Sequence, residues 1–408
     1  MTGRRLAIRL HPRAERAVRR GHPWVFAEGI KQQRHEGQGG DLAVLFDRNN
    51  RFLAIGLYDP HSPIRVRVLH QSEPETIDGA WFAARMKAAH QLRRALPEEE
   101  TTGFRLVHGE DDGLPGLVVD RYGESLVVKL YTAAWFPYLD DVLASLQELV
   151  RPDRVVLRLS RAVEKIGAPS GDLRDGRILR GRPLSGPVLF QENGLTFEAD
   201  LVKGQKTGFF LDQRDNRRRV QGYCAGKSVL DVFAYTGGFS IYAARGGALS
   251  VTSLEVSESA LAAAERNFRH NASLSGVAAA RHRTLVGDAF ELLPVMRDRG
   301  ERFDVVILDP PAFAKAQAQV ERAVASYARI LRVGLQLLSP GGLLAAASCS
   351  SRITADRFRE VVNRVAHQAG RPLRILQQTG HPLDHPIGFP EGAYLKCIFG
   401  TARSGPTA

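Results

Sequence analysis

A cysteine and an aspartate lie at the ends of two predicted strands. Asp309 ends the apolar segment 303–309 and is followed by two prolines, and Cys349 follows the apolar segment 342–348. Because the carboxyl ends of parallel strands meet at one edge of a sheet, we expect the thiol and the carboxylate to lie close together. A thiolate that adds to carbon 6 of a pyrimidine makes carbon 5 nucleophilic, which is covalent catalysis. A carboxyl group that shares a proton can hydrogen-bond the ring nitrogen or exocyclic amine of a cytosine in that step.

Three cysteines occur in the chain, at Cys224, Cys349 and Cys397. They are too few and too scattered for a disulfide framework or a zinc site, which favours a reducing, cytoplasmic location and predicts no metal. Cys397 lies within an apolar segment and is expected in the core, and Cys224 has no evident role. Cys349 needs activation, because a thiol near its reference pKa of about 8.5 is mostly protonated at neutral pH. The sequence does not show which group activates it.

Acidic residues at the ends of three earlier strands predict a cofactor site at the same sheet edge. Asp231 lies near the end of the first strand, and Glu255 ends the second, 24 residues later. A carboxylate there can accept hydrogen bonds from both hydroxyls of a ribose. Asp288 follows the third strand, where an adenine amine can be bound. The set resembles that of class I S-adenosylmethionine-dependent methyltransferases, over about residues 190–400.

The turn after Asp231 carries the remaining residues of this predicted cofactor site. Its paired glycines let the backbone approach a ligand closely before a helix begins. The dinucleotide-binding fingerprint is excluded, because it needs three spaced glycines. The predicted residues of the turn are Tyr235, Thr236, Gly237 and Gly238.

Apolar segments that alternate with helical ones predict the sheet that carries these residues. Such alternation is typical of α/β domains with a doubly wound parallel sheet. The predicted strands are 228–233, 250–255, 283–286, 303–309 and 342–348, with 373–377 and 393–399 ending the chain.

The chain before this sheet divides into two predicted domains. Residues 1–75 contain short β-like segments at 42–46, 52–57 and 64–69, which favour a small β barrel. Residues 76–185 are predicted to form a small α+β domain, with helices at 77–96 and 138–149 and strands at 104–107, 117–120, 125–130 and 155–159. The segment 167–187 is rich in Gly, Pro and charged residues and is predicted to be a loop or linker. The third domain is then 186–408.

The charge of the chain indicates a polyanionic partner. Its 408 residues include 56 Lys or Arg against 44 Asp or Glu, a formal charge of +12. Residues 1–75 alone carry 13 cationic against 8 acidic side chains. Cations there lie beside an aromatic residue, which suits phosphate contact and base stacking, although a solvated face with Trp24 in the core remains the alternative. The predicted RNA-binding residues are Arg13, Arg16, Arg19, Arg20 and Trp24. No apolar stretch reaches the 18 residues of a membrane span, so no membrane partner is expected.

Motifs throughout the chain resemble the bacterial large-subunit ribosomal RNA cytosine-C5 methyltransferases that carry an amino-terminal PUA domain. The segments with this resemblance are 21–26, 109–117, 206–214, 231–239, 309–313, 348–350 and 394–396. The resemblance implies a PUA domain that binds RNA, a central α+β domain and a class I methyltransferase domain. It also implies that Cys349 is the nucleophile, with S-adenosylmethionine as cofactor and ribosomal RNA as substrate.

The same resemblance implies three more cofactor-site residues, Phe210, Gln213 and Arg214, with Arg214 paired to the methionine carboxylate. Many other RNA cytosine-C5 enzymes have a second cysteine directly after the two prolines, where this chain has Ala312. Another group must therefore release the product.

Two other functions remain open from the sequence. Asp-Pro-Pro motifs also serve methylation of exocyclic amines and of guanine N7, although Cys349 would then be idle. A non-catalytic RNA-binding ribosome-assembly factor is the second alternative. The oligomeric state is open as well, with a homodimer among the alternatives.

Overall fold

The computed structural model describes residues 4–167, 172–314 and 317–402. These residues form two compact units. The first is the chain up to Leu211 together with Leu383–Pro390, and the second is Asp212–Pro382 together with the chain from Glu391 onwards. The segment Leu383–Pro390 therefore belongs to the first unit although both of its flanking stretches belong to the second. Within the described ranges, no helix is long and apolar enough to cross a membrane.

The first unit begins with a six-stranded mixed sheet. Its strands are β1 Arg5–Leu10, β2 Trp24–Phe26, β3 Ile30–Gln33, β4 Leu42–Phe46, β5 Phe52–Tyr58 and β6 Ile64–Gln71, in the order β2-β6-β5-β4-β1-β3. Alternate residues of β1, namely Leu6, Ile8 and Leu10, are buried in its core, as the two-residue period of a strand requires. A helix that the sequence analysis did not predict, α1 Pro12–Arg19, follows β1 and starts with a proline in its first turn.

A second sheet of the first unit has the order β11-β10-β9-β8-β7. Its strands are β7 Gly103–His108, β8 Leu117–Tyr122, β9 Ser125–Leu130, β10 Arg154–Leu159 and β11 Ile178–Gly181, and its helices are α2 Gly79–Leu92, α3 Ala95–Glu98, α4 Leu139–Val150 and α5 Arg161–Ile166. The prediction of one helix over 77–96 is wrong, because α2 ends before Arg93. The guanidinium of Arg93 is fully buried and donates to the carbonyls of Ala89 and Arg105.

The prediction of a loop over 167–187 is also wrong in part. β11 lies inside it and pairs antiparallel with β10, with Gly181 opposite Arg154. Residues 168–171 of the predicted loop lie outside the described residues. A hairpin follows, β12 Val188–Glu192 and β13 Leu195–Ala199, and it belongs to the first unit. The predicted domain boundaries after residues 75 and 185 stay predictions.

The second unit contains a seven-stranded sheet. Its strands are β14 Ser228–Val232, β15 Ser250–Glu255, β16 Arg281–Val286, β17 Phe303–Leu308, β18 Leu338–Ser348, β19 Leu373–Thr379 and β20 Lys396–Ala402, in the order β16-β15-β14-β17-β18-β20-β19. Its helices are α6 Arg214–Gln221, α7 Gly238–Arg245, α8 Glu258–His270, α9 Ser275–Ala279, α10 Ala289–Asp298, α11 Val320–Gln336 and α12 Ala355–Gln368. The strands β14 to β18 are parallel, and β20 is antiparallel to both of its neighbours.

The strand order explains where a ligand can bind in this unit. The chain runs from β14 outwards to β15 and β16, and then returns to the other side of β14 to form β17 and β18. The loops after β14 and β17 therefore leave the sheet in different directions, which opens a crevice between them at the carboxyl edge. Buried apolar side chains of the strands, such as Leu230, Val306 and Leu344, hold this edge rigid from below.

Candidate functional site

The turn after β14 has an unusual backbone that the neighbouring strand holds in place. Phe233 and Tyr235 have φ of 65° and 49°, in the left-handed region that costs a residue with a side chain about 1–3 kcal/mol. The backbone N–H of Phe233 donates to the carbonyl of Leu254 over 2.9 Å. Gly237 also has a positive φ, of 78°, and a Cβ there would lie 2.8 Å from Cβ of Ala264 on α8. Glycine is thus required at 237 by conformation and by helix packing.

Glu255 has a carboxylate that backbone groups hold on both oxygens. Oε2 accepts the N–H of Tyr235 over 3.0 Å, and Oε1 accepts the N–H groups of Val256 and Ser257 over 2.9 and 3.1 Å. These bonds connect the turn after β14 to the turn after β15. The carboxylate of Glu255 is therefore fixed at the carboxyl edge of the sheet by the turns after β14 and β15.

Asp231 lies at the start of a buried polar chain beneath this edge. Its Oδ2 accepts the hydroxyl of Ser240 over 2.6 Å, Ser240 and Ser253 share a hydrogen bond of 2.7 Å, and Ser253 bonds Nε2 of His282 over 2.8 Å. Burial raises the pKa of the Asp231 carboxyl to about 7. The hydrogen bond from Ser240 lowers this pKa, and the negative charge of Asp309 raises it further. The carboxyl is 1% exposed.

Two buried polar atoms in this region test whether the site fits a polar cofactor. Oδ1 of Asp231 and Oγ1 of Thr236 are buried and have no hydrogen-bond partner among the residues that the structure describes. A buried polar atom left unpaired costs about 1–3 kcal/mol. A ligand that carries an amine and hydroxyl groups can hydrogen-bond both atoms. These two atoms therefore fit S-adenosylmethionine.

The third acidic residue of the predicted set begins a helix. Asp288 is the N-cap of α10, and its Oδ1 accepts the N–H of Phe290 over 2.7 Å. Two apolar side chains, Val256 and Val286, lie exposed directly after Glu255 and at the end of β16, at 69% and 54%. Exposed apolar side chains beside fixed carboxylates are what a planar base with polar edges requires. Sequence reasoning did not select these valines.

Gln213 and Asp309 are joined directly. Nε2 of Gln213 donates to Oδ1 of Asp309 over 2.8 Å. Nδ2 of Asn216 donates to Oε1 of Gln213 over 2.6 Å, and the Thr379 hydroxyl donates to Oδ1 of Asn216 over 2.6 Å. This chain fixes the amide of Gln213 and, through it, the carboxylate of Asp309. Asn216 and Thr379 were not singled out from the sequence.

Two more predicted cofactor residues lie near Gln213 in the sequence but in different units. Arg214 is the first residue of α6 in the second unit, 3% exposed, and its Nε lies 3.4 Å from Oδ1 of Asp215. Phe210 is half-buried in the first unit, where Nζ of Lys206 lies 4.5 Å from the centroid of its ring. The cofactor roles of Arg214 and Phe210 stay predictions.

Cys349 lies on the loop after β18, against the loop that contains the two prolines. Its thiol donates to the carbonyl of Pro310 over 3.8 Å, and the hydroxyl of Ser350 donates to the carbonyl of Ala314 over 3.2 Å. Cys349 is half-buried, whereas Cys224 and Cys397 are fully buried. Burial raises the pKa of the Cys224 thiol to about 12 and that of Cys397 further. Cys349 is therefore the cysteine of the three that a reagent or substrate reaches.

Lys396 lies against the Cys349 loop, and sequence reasoning assigned it no role. It is the first residue of β20, it pairs with Ser348 at the end of β18, and it is 2% exposed. Its Nζ donates to the carbonyls of Ser350 and of Tyr394. Burial lowers the pKa of this ammonium to about 8, and the thiol of Cys349 opposes the shift. A lysine at the head of an otherwise apolar strand was the signal available in the sequence.

The predicted RNA-binding residues are in the first unit. Arg13, Arg16 and Arg20 are exposed on or directly after α1, while Arg19 donates to Asp47 over 2.8 Å. Trp24 is half-buried. Its Nε1 donates to Glu110 over 2.8 Å, and its ring lies 5.0 Å from that of Phe389 and 6.3 Å from that of Phe26, centroid to centroid. This aromatic cluster includes the returning segment Leu383–Pro390.

Comparison with known proteins identifies the two domains at the ends of the chain. Residues 174–396 match the S-adenosylmethionine-dependent methyltransferase family, and residues 8–71 match the PUA-like domain family. The ribosomal RNA large subunit methyltransferase of Deinococcus radiodurans is 48% identical over 400 residues, which cover 97% of each chain. The ribosomal RNA large subunit methyltransferase I of Aeromonas salmonicida is 38% identical over 392 residues, covering 95% of this chain and 97% of that one.

The fold agrees with that of a solved structure. A Streptococcus mutans protein described as a SAM-dependent methyltransferase superposes with a TM-score of 0.82 at 22% identity, covering 97% of this chain and 100% of that chain. The second unit has the class I methyltransferase fold that the sequence analysis predicted. With a family match over 174–396 and near full-length relatives at 48% and 38% identity, the chain belongs to the S-adenosylmethionine-dependent methyltransferase family, carries a PUA-like domain, and uses S-adenosylmethionine as its cofactor.

Proposed function

We propose that the protein methylates carbon 5 of a cytosine in large-subunit ribosomal RNA through a covalent bond between Cys349 and carbon 6 of the base. The observation that carries the proposal is the position of the Cys349 thiol, 3.8 Å from the carbonyl of Pro310 in the loop that begins with Asp309. The names of the two curated relatives support the RNA substrate. Methylation of an amine or of guanine N7 needs no such thiol.

In the proposed reaction, the thiolate of Cys349 donates an electron pair to carbon 6, and the ring electrons move to carbon 5. Asp309 hydrogen-bonds the ring nitrogen or the exocyclic amine through a shared proton, which stabilises the adduct. The cofactor supplies a methyl group on a sulfonium, an electrophile that leaves a neutral thioether. A general base then takes the proton from carbon 5, and the electrons of the broken C–H bond re-form the double bond between carbons 5 and 6. This expels the thiolate from carbon 6 and restores the aromatic ring.

The cofactor is held, in this proposal, by the carboxyl edge of β14, β15 and β16. Glu255 accepts hydrogen bonds from the ribose hydroxyls, Asp231 and Thr236 satisfy polar groups of the methionine part, and Asp288 bonds the adenine amine. Tyr235, Gly237 and Gly238 contribute backbone, and Arg214 pairs with the carboxylate. The proposed residues are Phe210, Gln213, Arg214, Asp231, Tyr235, Thr236, Gly237, Gly238, Glu255, Asp288 and Asp309.

RNA is bound, in the same proposal, by the PUA-like domain. The exposed side chains of Arg13, Arg16 and Arg20 neutralise phosphates, and Trp24 with its aromatic neighbours offers a stacking surface. Arg19 has a smaller share of this role, because it already pairs with Asp47.

The decisive experiment identifies the base and the atom that are modified. Ribosomal RNA from cells that lack the gene is incubated with the enzyme and isotope-labelled cofactor, digested to nucleosides and analysed by mass spectrometry. We expect the label in 5-methylcytidine. Label in an N-methylated nucleoside would assign the reaction to an amine or to guanine N7, and absence of label from every nucleoside would favour the non-catalytic alternative.

A trapping experiment tests the covalent bond itself. RNA that contains 5-fluorocytidine gives a lasting adduct, because fluorine does not leave carbon 5 as a proton does. We expect the adduct with the wild-type protein and with Cys224→Ala, a matched change at a buried cysteine outside the site. Cys349→Ala should form no adduct, and an adduct at wild-type yield in that variant would exclude the mechanism.

A further inference from the structure

Lys396 reaches across the end of the sheet to the loop that carries Cys349. The register of β18 and β20 sets Lys396 opposite Ser348, the residue directly before the cysteine. Its ammonium donates to the carbonyl of Ser350, the residue directly after the cysteine, and to the carbonyl of Tyr394 over 3.1 Å. The ammonium therefore holds the Cys349 loop at the carbonyl of the residue that follows the cysteine.

The charge of Lys396 needs compensation. The residue is 2% exposed. Among the residues that the structure describes, no carboxylate forms a salt bridge with its ammonium. A buried ammonium held only by carbonyls loses its hydration without gaining an opposite charge, which is costly. The thiol of Cys349 interacts electrostatically with Lys396 and, once ionised, supplies that opposite charge.

We propose that the Lys396 ammonium stabilises the thiolate of Cys349 and fixes the loop Ser348–Ser351, so that Lys396 is the positioning residue that activates the nucleophile. This inference rests on the proposed function, in which Cys349 attacks the base. It answers a need that the sequence leaves open, because an unassisted thiol is mostly protonated at neutral pH. The stabilisation is reciprocal: whatever the ammonium gives to the thiolate, the thiolate gives to the ammonium.

Other groups around Cys349 act against its ionisation. The carbonyl of Pro310 accepts a hydrogen bond from the neutral thiol, and ionisation removes that bond. Asp309, from the loop after β17, adds a negative charge nearby, and Tyr327 of α11 stays neutral because burial raises its pKa. Lys396, on β20, supplies a positive charge that opposes these effects.

Alkylation with iodoacetamide measures the ionisation of Cys349 without RNA. Iodoacetamide reacts with the thiolate, so its rate against pH gives the midpoint, and mass spectrometry of the Cys349 peptide separates this site from the buried Cys224 and Cys397. In Lys396→Met we expect the midpoint to rise by about one unit or more, and alkylation at pH 7 to be about tenfold slower. Lys396→Arg keeps the charge and should restore much of the rate. Lys227→Met, at an exposed lysine of the same unit, is the matched control.

The reverse measurement does not require a change at the buried lysine. The ammonium of Lys396 is followed by NMR of labelled lysine in the wild-type protein and in Cys349→Ala, which removes a half-buried side chain. We expect Lys396 to lose its proton at lower pH in Cys349→Ala, because its counter-charge is gone. An unchanged titration of Lys396, or an unchanged alkylation midpoint in a Lys396→Met protein that binds cofactor normally, overturns the inference.

The outcomes separate this inference from the function on which it rests. If the alkylation midpoint depends on Lys396 but RNA with 5-fluorocytidine forms no adduct, the covalent mechanism fails and the activation of Cys349 stands. If the adduct forms at the wild-type rate in Lys396→Met, the covalent mechanism stands and the role of Lys396 is wrong.

Discussion

Gln213 donates its side-chain amide to Asp309 over 2.8 Å across 96 residues of sequence. The two residues come from different parts of the second unit, one directly before α6 and the other in the loop after β17. Asn216 holds the other end of the same amide over 2.6 Å. Asp309 is therefore oriented by a chain of amides, and this orientation decides which way its carboxyl group meets a substrate.

Removing the amide should impair methylation more than cofactor binding. In Gln213→Leu, the carboxylate of Asp309 loses the amide donor that fixes its orientation. We expect the turnover number to fall about tenfold or more, because acid–base assistance depends on the position of the carboxyl group. Calorimetry with S-adenosylmethionine and a methylation assay on the same preparation measure the two effects. Gln191→Leu, at an exposed glutamine, is the control. A loss of cofactor affinity with an unchanged turnover number would limit Gln213 to cofactor binding and exclude its role in orienting Asp309.

Glu255→Ala should weaken cofactor binding in two ways. It removes the acceptor for the ribose hydroxyls, and it releases the backbone N–H of Tyr235 that now donates to Oε2. Loss of hydrogen bonds to a charged group typically costs about 1.5–3 kcal/mol, or about 10- to 150-fold in affinity. Calorimetry on Glu255→Ala and on Glu258→Ala, at an exposed position of α8, checks this. Equal affinities of the two variants would mean that the ribose site lies elsewhere.

Cofactor affinity should depend on pH through Asp231. In the protein without cofactor this carboxyl is protonated below a pKa of about 7, raised by burial. A cationic group of the cofactor favours the carboxylate, so binding expels the proton, and affinity should rise as pH increases from about 5 to 8. Asp231→Asn has no proton to lose, and its affinity should be lower and nearly flat over this range. Calorimetry in two buffers of different ionisation enthalpy measures the proton release directly, and a wild-type protein that releases none contradicts the assignment.

Exposed arginines of the PUA-like domain should determine the salt dependence of RNA binding. The triple variant Arg13→Ala, Arg16→Ala and Arg20→Ala should bind RNA more weakly. Its log–log salt slope should be smaller by about 0.7 for each phosphate of a single strand that the protein no longer neutralises. Its affinity for S-adenosylmethionine should equal that of the wild-type protein. Arg48→Ala, Arg51→Ala and Arg65→Ala form a control set in the same domain. If both sets reduce the slope equally, the domain attracts RNA by overall charge and not by the α1 surface.

These point variants test the domain better than its deletion does. Leu42, Ile55 and Leu57, which precede residue 75, belong to one hydrophobic core with Trp81 and Phe82. Deleting residues 1–75 would therefore expose the apolar face of α2, at about 25 cal/mol for each Å² of apolar surface.

Local sequence patterns predicted several elements residue for residue. Ser125–Leu130 and Ser250–Glu255 have the predicted bounds, because apolar runs between turn residues determine such strands. β11 was missed because Ile178–Gly181 has four residues and lies among Gly, Arg and Asp residues typical of a loop. Its pairing with β10 makes it a strand. The break between α2 and α3 was missed for a similar reason, since a buried Arg93 is satisfied by partners distant in sequence.

The positions of Asp231, Glu255, Asp309 and Cys349 at or directly after strand ends were predictable from the sequence, and their roles stay predictions. The hydrogen bonds among side chains were not predictable, because Lys396 meets the Cys349 loop only through the antiparallel insertion of β20 next to β18. Strand order is a property of the whole sheet, and no window of sequence around Lys396 contains it.

The segment Leu383–Pro390 has a consequence for synthesis on the ribosome. Asp384 accepts hydrogen bonds from the buried guanidinium of Arg93 and from the backbone N–H of Arg105, which are 291 and 279 residues earlier. Translation delivers Asp384 only after nearly all of the second unit has been made. The first unit to emerge thus stays incomplete until residues 383–390 have been made. A nascent chain halted before residue 383 carries an amino-terminal half in which Arg93 still lacks one of its native acceptors.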